Sequence, residues 1–218
     1  MPVGEKKVGL PELFYDLVFV YALFRTTELV HHADEADYAT FLISLVILFT
    51  VWLYQSIYIN RFGDNSWRDR LFLFADMFLL LFLSNAVGSD WLANFVPFNL
   101  ELGLLVGNVC LQYLLQLARH ASPEQRRRIK LVARLRGLTA AMVLGSLLFP
   151  AHIRQWVALG GFGLGWILPT FVSHKQPAVN FPHLLERLNG LVIIFFGETV
   201  IDIAPYFHVA KFEIGALP

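Results

Sequence analysis

Long apolar stretches alternate with short polar segments along the whole chain. Seven of these stretches are long enough to cross a bilayer as helices, since a hydrocarbon core of about 30 Å takes about 20 helical residues. The predicted spans are Pro11 to His31, Ala39 to Ile59, Leu71 to Ser89, Phe98 to Ala118, Leu131 to Phe149, Gln155 to Ser173 and Leu188 to Ala204. Runs such as 41–51 are apolar on all sides, which favours helices over barrel strands. The pattern predicts an all-α bundle of about seven transmembrane helices, forming one domain over residues 1–218.

The basic residues predict how this bundle is oriented. Lysines and arginines precede span one, follow span two, surround the start of span five and precede span seven, whereas the opposite side holds only Arg154 and Lys211. Loops rich in Lys and Arg are retained in the cytoplasm. The N-terminus is therefore predicted to be cytoplasmic.

Composition narrows the class of protein further. Hydrophobic residues make up 56% of the 218 residues, formal net charge is zero and there is a single cysteine, Cys110. These values favour the lipid bilayer over nucleic acid as a partner and exclude an internal disulfide. Nucleophile, Walker and dinucleotide motifs are absent from the sequence, and span seven has no lysine for a retinal Schiff base. We therefore expect neither an enzyme nor a cofactor.

Small residues predict where two helices approach closely. Gly137, Ala141 and Gly145 recur every four residues in span five, and Gly161 and Gly165 do so in span six. Such spacing lets helix backbones pack tightly, so spans five and six are expected to form a close hairpin. Pro169 is expected to kink or end span six because it has no N–H to donate.

A few charges lie within the spans, where each is costly and tends to face the bundle interior. The candidates for a polar core are Glu12, Asp16, Arg25, Asp76, Glu198 and Asp202. Glu198 and Asp202 are four residues apart and share a helix face. They either hold a proton or cation between them or pair with an arginine that fixes helix packing, and both interpretations stay open.

Depth in the membrane suggests partners for these charges. Arg25 and Asp202 lie at similar depth when counted from the cytoplasmic ends at about 1.5 Å per residue. This predicts an ion pair between Arg25 and Asp202 or Glu198. Asp76 enters at a depth that matches Asp16 and is a candidate to share a polar pocket with it.

Span four carries a polar stripe formed by Glu101, Asn108, Gln112 and Gln116. Their spacings of seven, four and four align them on one helix face. The stripe could line a water-filled path or form hydrogen bonds between helices, and the sequence alone does not decide between the two.

His183 and Glu186 lie three residues apart at the start of span seven. That spacing could supply two metal ligands, but no second pair accompanies it, so no metal site is predicted. Anchoring of the helix start is the favoured interpretation, with Arg187 at the lipid headgroups.

Two motifs resemble those of a known family. Residues 12–20 read ELFYDLVFV, and His183, Glu186 and Arg187 begin a second motif that ends at Gly197 and Glu198. Together they resemble the bacterial low temperature requirement A proteins. The resemblance implies a multi-pass protein of the bacterial cytoplasmic membrane that is linked to growth in the cold. Family members generally continue for further spans, so the chain resembles the N-terminal part of a longer architecture.

Two functions remain in view. The first is transport or conduction of a small cation, proton or small solute through a polar helix interior. The alternative is a structural or sensory membrane protein, in which the buried charges fix helix packing and the basic segment from Arg126 to Lys130 meets anionic lipid or a partner.

Overall fold

The computed structural model describes residues 8–30, 35–88, 90–119, 122–172, 179–204 and 207. Seven α-helices and one short 3-10 helix account for nearly all of this part of the chain, which contains no strand. The elements are α1 (Leu10–Thr27), the 3-10 helix Glu28–Val30, α2 (Glu35–Phe62), α3 (Trp67–Asn85), α4 (Trp91–Gln116), α5 (Pro123–Ser146), α6 (Ala151–Val172) and α7 (Phe181–Ile203). The prediction of an all-helical fold is confirmed for these residues.

Three helices, α4, α5 and α7, begin about two turns earlier than the apolar pattern predicts. A proline lies in the first turn of both α5 and α7, where its fixed φ suits the helix and its missing N–H costs nothing. The side chain of Asn180 also caps α7 by accepting from the backbone N–H of His183 at 3.4 Å. The polar residues His183, Glu186 and Arg187 therefore lie within α7 rather than before it.

The helices pack around α1 and α4. Helix α1 contacts α2, α3 and α7, while α4 lies against α2, α3 and α5, and α6 packs on α5. Fully buried apolar side chains fill the spaces between them, among them Phe19, Leu48, Leu80, Phe98 and Leu105. This arrangement brings α7, the last helix of the described residues, directly beside α1.

The outer surface of the bundle is apolar. Large apolar side chains are exposed on all seven helices, including Phe14, Val46, Phe78, Leu104, Leu138, Ile167 and Ile193. Several charged and amide side chains are buried instead, the reverse of a typical soluble domain. In the described residues, two helical segments are long and apolar enough to cross a membrane, Tyr38–Phe62 and Trp91–Gln116. These features indicate a membrane protein.

Helices α5 and α6 pack closely through the glycines of α6. A Cβ at Gly161 would lie 2.5 Å from the Cβ of Met142, and one at Gly165 would lie 2.6 Å from the Oγ1 of Thr139. On α5 the situation differs, since Gly137 faces Cys110 of α4 and Gly145 has open space. The predicted hairpin is present, but only the small residues of α6 produce the close approach.

Pro169 does not end α6, which continues to Val172. A proline inside a helix leaves the carbonyl four residues earlier without its helical donor, here the carbonyl of Gly165. The hydroxyl of Tyr54 donates to that oxygen at 3.1 Å and the Nη1 of Arg136 donates to it at 3.2 Å. Neighbouring helices thus replace the hydrogen bond that the proline removes.

Candidate functional site

Asp16 of α1 and Arg187 of α7 form a fully buried ion pair. The Nη2 of Arg187 lies 2.5 Å from Oδ1 of Asp16, and its Nε donates to Oδ2 at 3.1 Å. Both side chains have 0% exposure. The indole N–H of Trp52 on α2 also donates to Asp16 Oδ1, at 2.7 Å. Two parallel bonds fix the guanidinium against the carboxylate, and the indole adds a third bond from another helix.

One turn earlier on each of the two helices, Glu12 faces His183. The Nε2 of His183 lies 3.1 Å from Oε2 of Glu12, and the Nε of Arg187 lies 3.8 Å from the same oxygen. Glu12, Asp16, His183 and Arg187 are called the α1–α7 ion-pair cluster below. Both motifs of the family resemblance supply it. The prediction that Arg187 lies at the lipid headgroups is wrong, because α7 begins early enough to bury this residue.

Asn60 of α2 fixes the tautomer of His183. Its Oδ1 accepts from the backbone N–H of Asn180 at 2.8 Å, and its Nδ2 donates to the carbonyl of Asn180 at 2.9 Å. With the amide oriented in this way, Nδ2 also donates to Nδ1 of His183 at 3.1 Å. A nitrogen that accepts carries no proton, so the imidazole is neutral and its Nε2–H faces Glu12.

Asp76 of α3 is a second buried carboxyl group. Its exposure is 1%, and no lysine, arginine or histidine of the described residues forms an ion pair with it. The Nδ2 of Asn108 donates to Oδ1 at 2.6 Å and also to the carbonyl of Phe72 at 3.1 Å. The second oxygen, Oδ2, has no hydrogen-bond partner among the described residues. Buried polar atoms without partners are few in folded proteins, which marks this carboxyl group as a site.

The phenol of Tyr15 lies near charges of both Asp76 and the cluster. Tyr15 is fully buried on α1, and its hydroxyl finds no partner in the described part of the chain. The charged side chains that act on it electrostatically are Asp76, Arg187 and Asp16. The Cζ of Arg187 lies 5.9 Å from the centre of the Tyr15 ring, and its Nη1 also lacks a partner in this part of the chain. Asp76 and Asp16 therefore both lie close enough to Tyr15 to act on it, while a pocket shared by the two carboxyl groups stays a prediction. Asp76, Tyr15 and Asn108 are called the Asp76 site below.

The polar stripe of α4 makes hydrogen bonds between helices. Gln112 and Gln55 of α2 exchange two amide bonds, at 3.0 and 3.2 Å, and the Nε2 of Gln116 donates to the hydroxyl of Tyr58 at 3.0 Å. Asn108 belongs to the Asp76 site. Glu101 is half-buried, and its Oε2 has no partner among the described residues. For Gln112 and Gln116 the geometry favours interhelical bonding over the lining of an open path.

The remaining predicted charges lie apart from these residues. Arg25 pairs with Glu28, at 2.5 Å between Nη1 and Oε1, near the end of α1. The predicted pair between Arg25 and Glu198 is not formed. Glu198 is half-buried on α7, and the side chain of Asp202 lies outside the described residues.

The other motif residues of α7 face outward. Glu186 is exposed although His183 is buried, so the two side chains diverge rather than forming a pair of metal ligands. Gly197 is exposed, and a Cβ there would have no neighbour within 4 Å. Across the described residues, no three His, Cys, Asp or Glu side chains converge on a metal position.

Arg136 is a buried cation among the basic residues around the start of span five. It lies in the second half of α5 with 8% exposure, and its Cζ sits 3.2 Å from the centre of the Tyr54 ring. Its contacts are that ring and the Gly165 carbonyl. The signal that could have found it is Pro169, whose missing N–H predicts an unpaired carbonyl at Gly165.

The turn between α2 and α3 carries a second pair of carboxyl groups. The backbone N–H of Asp64 donates to Oδ2 of Asp69 at 2.9 Å, and the Nη1 of Arg119 donates to Oδ2 of Asp64 at 3.0 Å. The hydrogen bond from Asp69, followed by the one from Ser66, lowers the pKa of Asp64 below its usual range. The turn is tied to the end of α4 at the surface, away from the Asp76 site.

The fold and its buried charges define a helical membrane protein whose first and last described helices are joined by an internal ion-pair cluster. The sequence model of the bacterial low temperature requirement A protein (LtrA) family matches residues 7–217, and the chain belongs to that family. It is also similar to an uncharacterized protein of Rhizobium meliloti (strain 1021), RA0937, at 24% identity over 220 residues.

That similarity covers 93% of this chain and 52% of the relative. The chain thus spans about half the length of the curated relative it matches. No solved structure matches the chain significantly.

Proposed function

We propose that this protein transports or conducts a proton or small cation through the polar interior of a bundle of seven membrane-spanning helices. Asp76 is the carboxylate that binds the ion. The observation that carries the proposal is its burial at 1% exposure with one carboxylate oxygen unpartnered among the described residues. A carboxylate in such a place is stable only when a proton or another cation binds it.

The charges around Tyr15 support the same conclusion. Among the described charged groups that act on Tyr15, Asp16 and Asp76 supply two carboxylates and Arg187 supplies one permanent cation. His183 is neutral because its Nδ1 accepts from Asn60. In this described set the acidic groups outnumber the cations, and bound protons or cations are a means of balancing them.

The α1–α7 ion-pair cluster has a different role in this proposal. Asp16 accepts from Arg187 and Trp52, so its oxygens are already occupied. Such a pair holds α7 against α1 and leaves no position for a transported ion. This observation favours the alternative, a purely structural role, for these residues but not for Asp76.

The orientation belongs to the proposal as well. The basic residues support a cytoplasmic N-terminus, and the family supports placement in the bacterial cytoplasmic membrane. Asp76 lies in α3 about ten residues from the helix start, which corresponds to about 15 Å, or the middle of a bilayer.

The test is ion flux in proteoliposomes. Asp76→Asn keeps the size of the side chain and removes the charge, so we expect the flux of protons, Na⁺ or K⁺ seen with the wild-type chain to be lost. Asp90→Asn is the matched control, because Asp90 is an exposed helix cap and asparagine caps equally well. Flux in the Asp76→Asn protein equal to that of the control would contradict the proposal. Flux that depends on Glu198 or Asp202 instead would move the path to α7.

A further inference from the structure

A strongly basic cleft runs along the first three turns of α5. Its volume is about 670 Å³. The residues that line it are Pro123, Arg126, Arg127, Lys130, Leu131 and Arg134. All four of these cations are exposed.

The described part of the protein does not balance the charge of the cleft. In the described residues no carboxylate pairs with any of the four cations. The one acid in the first turn, Glu124, pairs with Arg128 on another face of the helix. Arg126, Lys130 and Arg134 follow each other at four-residue spacing, where like charges repel. An anion bound in the cleft would relieve this repulsion.

The cleft lies where α5 changes from polar to apolar. Leu131 is 36% exposed and Leu138, two turns further, is 46% exposed on the outer surface. Arg134 stands between them, so its long side chain has to extend back toward the polar end of the helix when the apolar part is in lipid. This places the guanidinium and ammonium groups at the level of lipid phosphates.

We propose that the cleft binds the phosphate of an anionic phospholipid headgroup. Guanidinium groups form paired hydrogen bonds with phosphate oxygens, and the lysine adds a compact positive charge. The exposed leucines beside the cleft would contact the acyl chains of the same lipid. Free phosphate offers the same chemistry without the chains, and the experiment separates the two. This site does not depend on the transport proposal.

The experiment measures which lipids stay bound. The whole chain is placed in nanodiscs that contain phosphatidylglycerol and phosphatidylcholine in equal amounts, and native mass spectrometry gives the ratio of the two lipids retained. We expect phosphatidylglycerol to be preferred, and Arg127→Gln/Lys130→Gln to reduce that preference roughly tenfold, since each cation near an anionic surface contributes substantially. The matched control is Arg68→Gln/Arg70→Gln, which removes two cations from the start of α3.

Equal loss in both double variants would overturn the proposal, because charge alone and not the cleft would then set the preference. No loss in either would overturn it too. Inorganic phosphate distinguishes the remaining source: we expect it to displace the lipid no better than sodium chloride of equal ionic strength. Displacement by phosphate at lower ionic strength, with no lipid preference in the wild-type protein, would assign the cleft to a soluble phosphate instead. Melting temperatures of both double variants verify folding, since all four substituted side chains contact solvent.

Discussion

Two buried polar regions meet α1, and they differ in how far their hydrogen bonds are satisfied. In the α1–α7 ion-pair cluster, Asp16 accepts from two helices and is matched by a cation. In the Asp76 site the carboxylate has one donor, Asn108, and no cation among the described residues. The two carboxylates, Asp16 and Asp76, are buried to nearly the same extent, at 0% and 1% exposure. Burial alone therefore does not separate a structural charge from one that can bind an ion.

The difference concerns what each carboxylate would lose on binding an ion. Asp16 would have to release Arg187, which would leave a buried cation without a partner and cost several kcal/mol. Asp76 would release nothing, because its Oδ2 has no partner in the described chain. We infer that stability depends mainly on the first region and ion binding on the second.

The largest effect is expected on removing the cation of the cluster. Arg187→Gln leaves Asp16 buried and unpaired, so the free energy of unfolding should fall by about 3–5 kcal/mol. Thermal unfolding of the protein in detergent measures this loss of stability. The control is Arg119→Gln, which breaks the surface pair with Asp64 and should cost at most about 1 kcal/mol. If both variants melted alike, the cluster would not be the main link between α1 and α7.

A smaller loss of stability is expected when Trp52 is substituted. Trp52→Phe removes the donor to Asp16 but retains an aromatic ring against Phe19, whose centre lies 5.7 Å away. Hydrogen bonds to charged groups contribute about 1.5–3 kcal/mol, and the stability should fall by that amount. Trp67→Phe, at a position with 72% exposure, provides the comparison and should change little. Equal stability of the two variants would show that Asp16 does not need the indole.

The smallest effect is expected in the Asp76 site. Tyr15→Phe removes a buried hydroxyl that has no partner among the described residues, so stability should stay within about 0.5 kcal/mol of the wild-type value or rise. Tyr58→Phe is the matched control, because the Tyr58 hydroxyl accepts from Gln116, and it should cost about 1 kcal/mol. A large loss at Tyr15 would mean that its hydroxyl is bound in the folded protein.

The sequence was sufficient for the helical class, the family and three buried carboxyl groups, Glu12, Asp16 and Asp76, because these follow from apolar run length and local motifs. The side chains that pair with these charges were harder to predict. Counting depth along straight helices paired Arg25 with Asp202 or Glu198 of α7; the pair with Glu198 is not formed, and Arg25 pairs with Glu28 one turn away. Apolar runs place helix ends poorly when a cap and a proline extend the helix into polar sequence, and this is why Arg187 was expected at the surface. Arg136 and Trp52 were missed because their partners lie on other helices, and the rotation of a helix about its axis is set by packing.

The most direct test removes the charge from Asp16 and Asp76 in separate variants. Asp76→Asn and Asp16→Asn make the same chemical change at two buried positions, and each protein is measured for both melting temperature and ion flux. We expect Asp76→Asn to melt like the wild-type protein and to have lost flux, and Asp16→Asn to melt at a clearly lower temperature. Normal flux with Asp76→Asn, or destabilisation by Asp76→Asn as large as that by Asp16→Asn, would contradict this expectation.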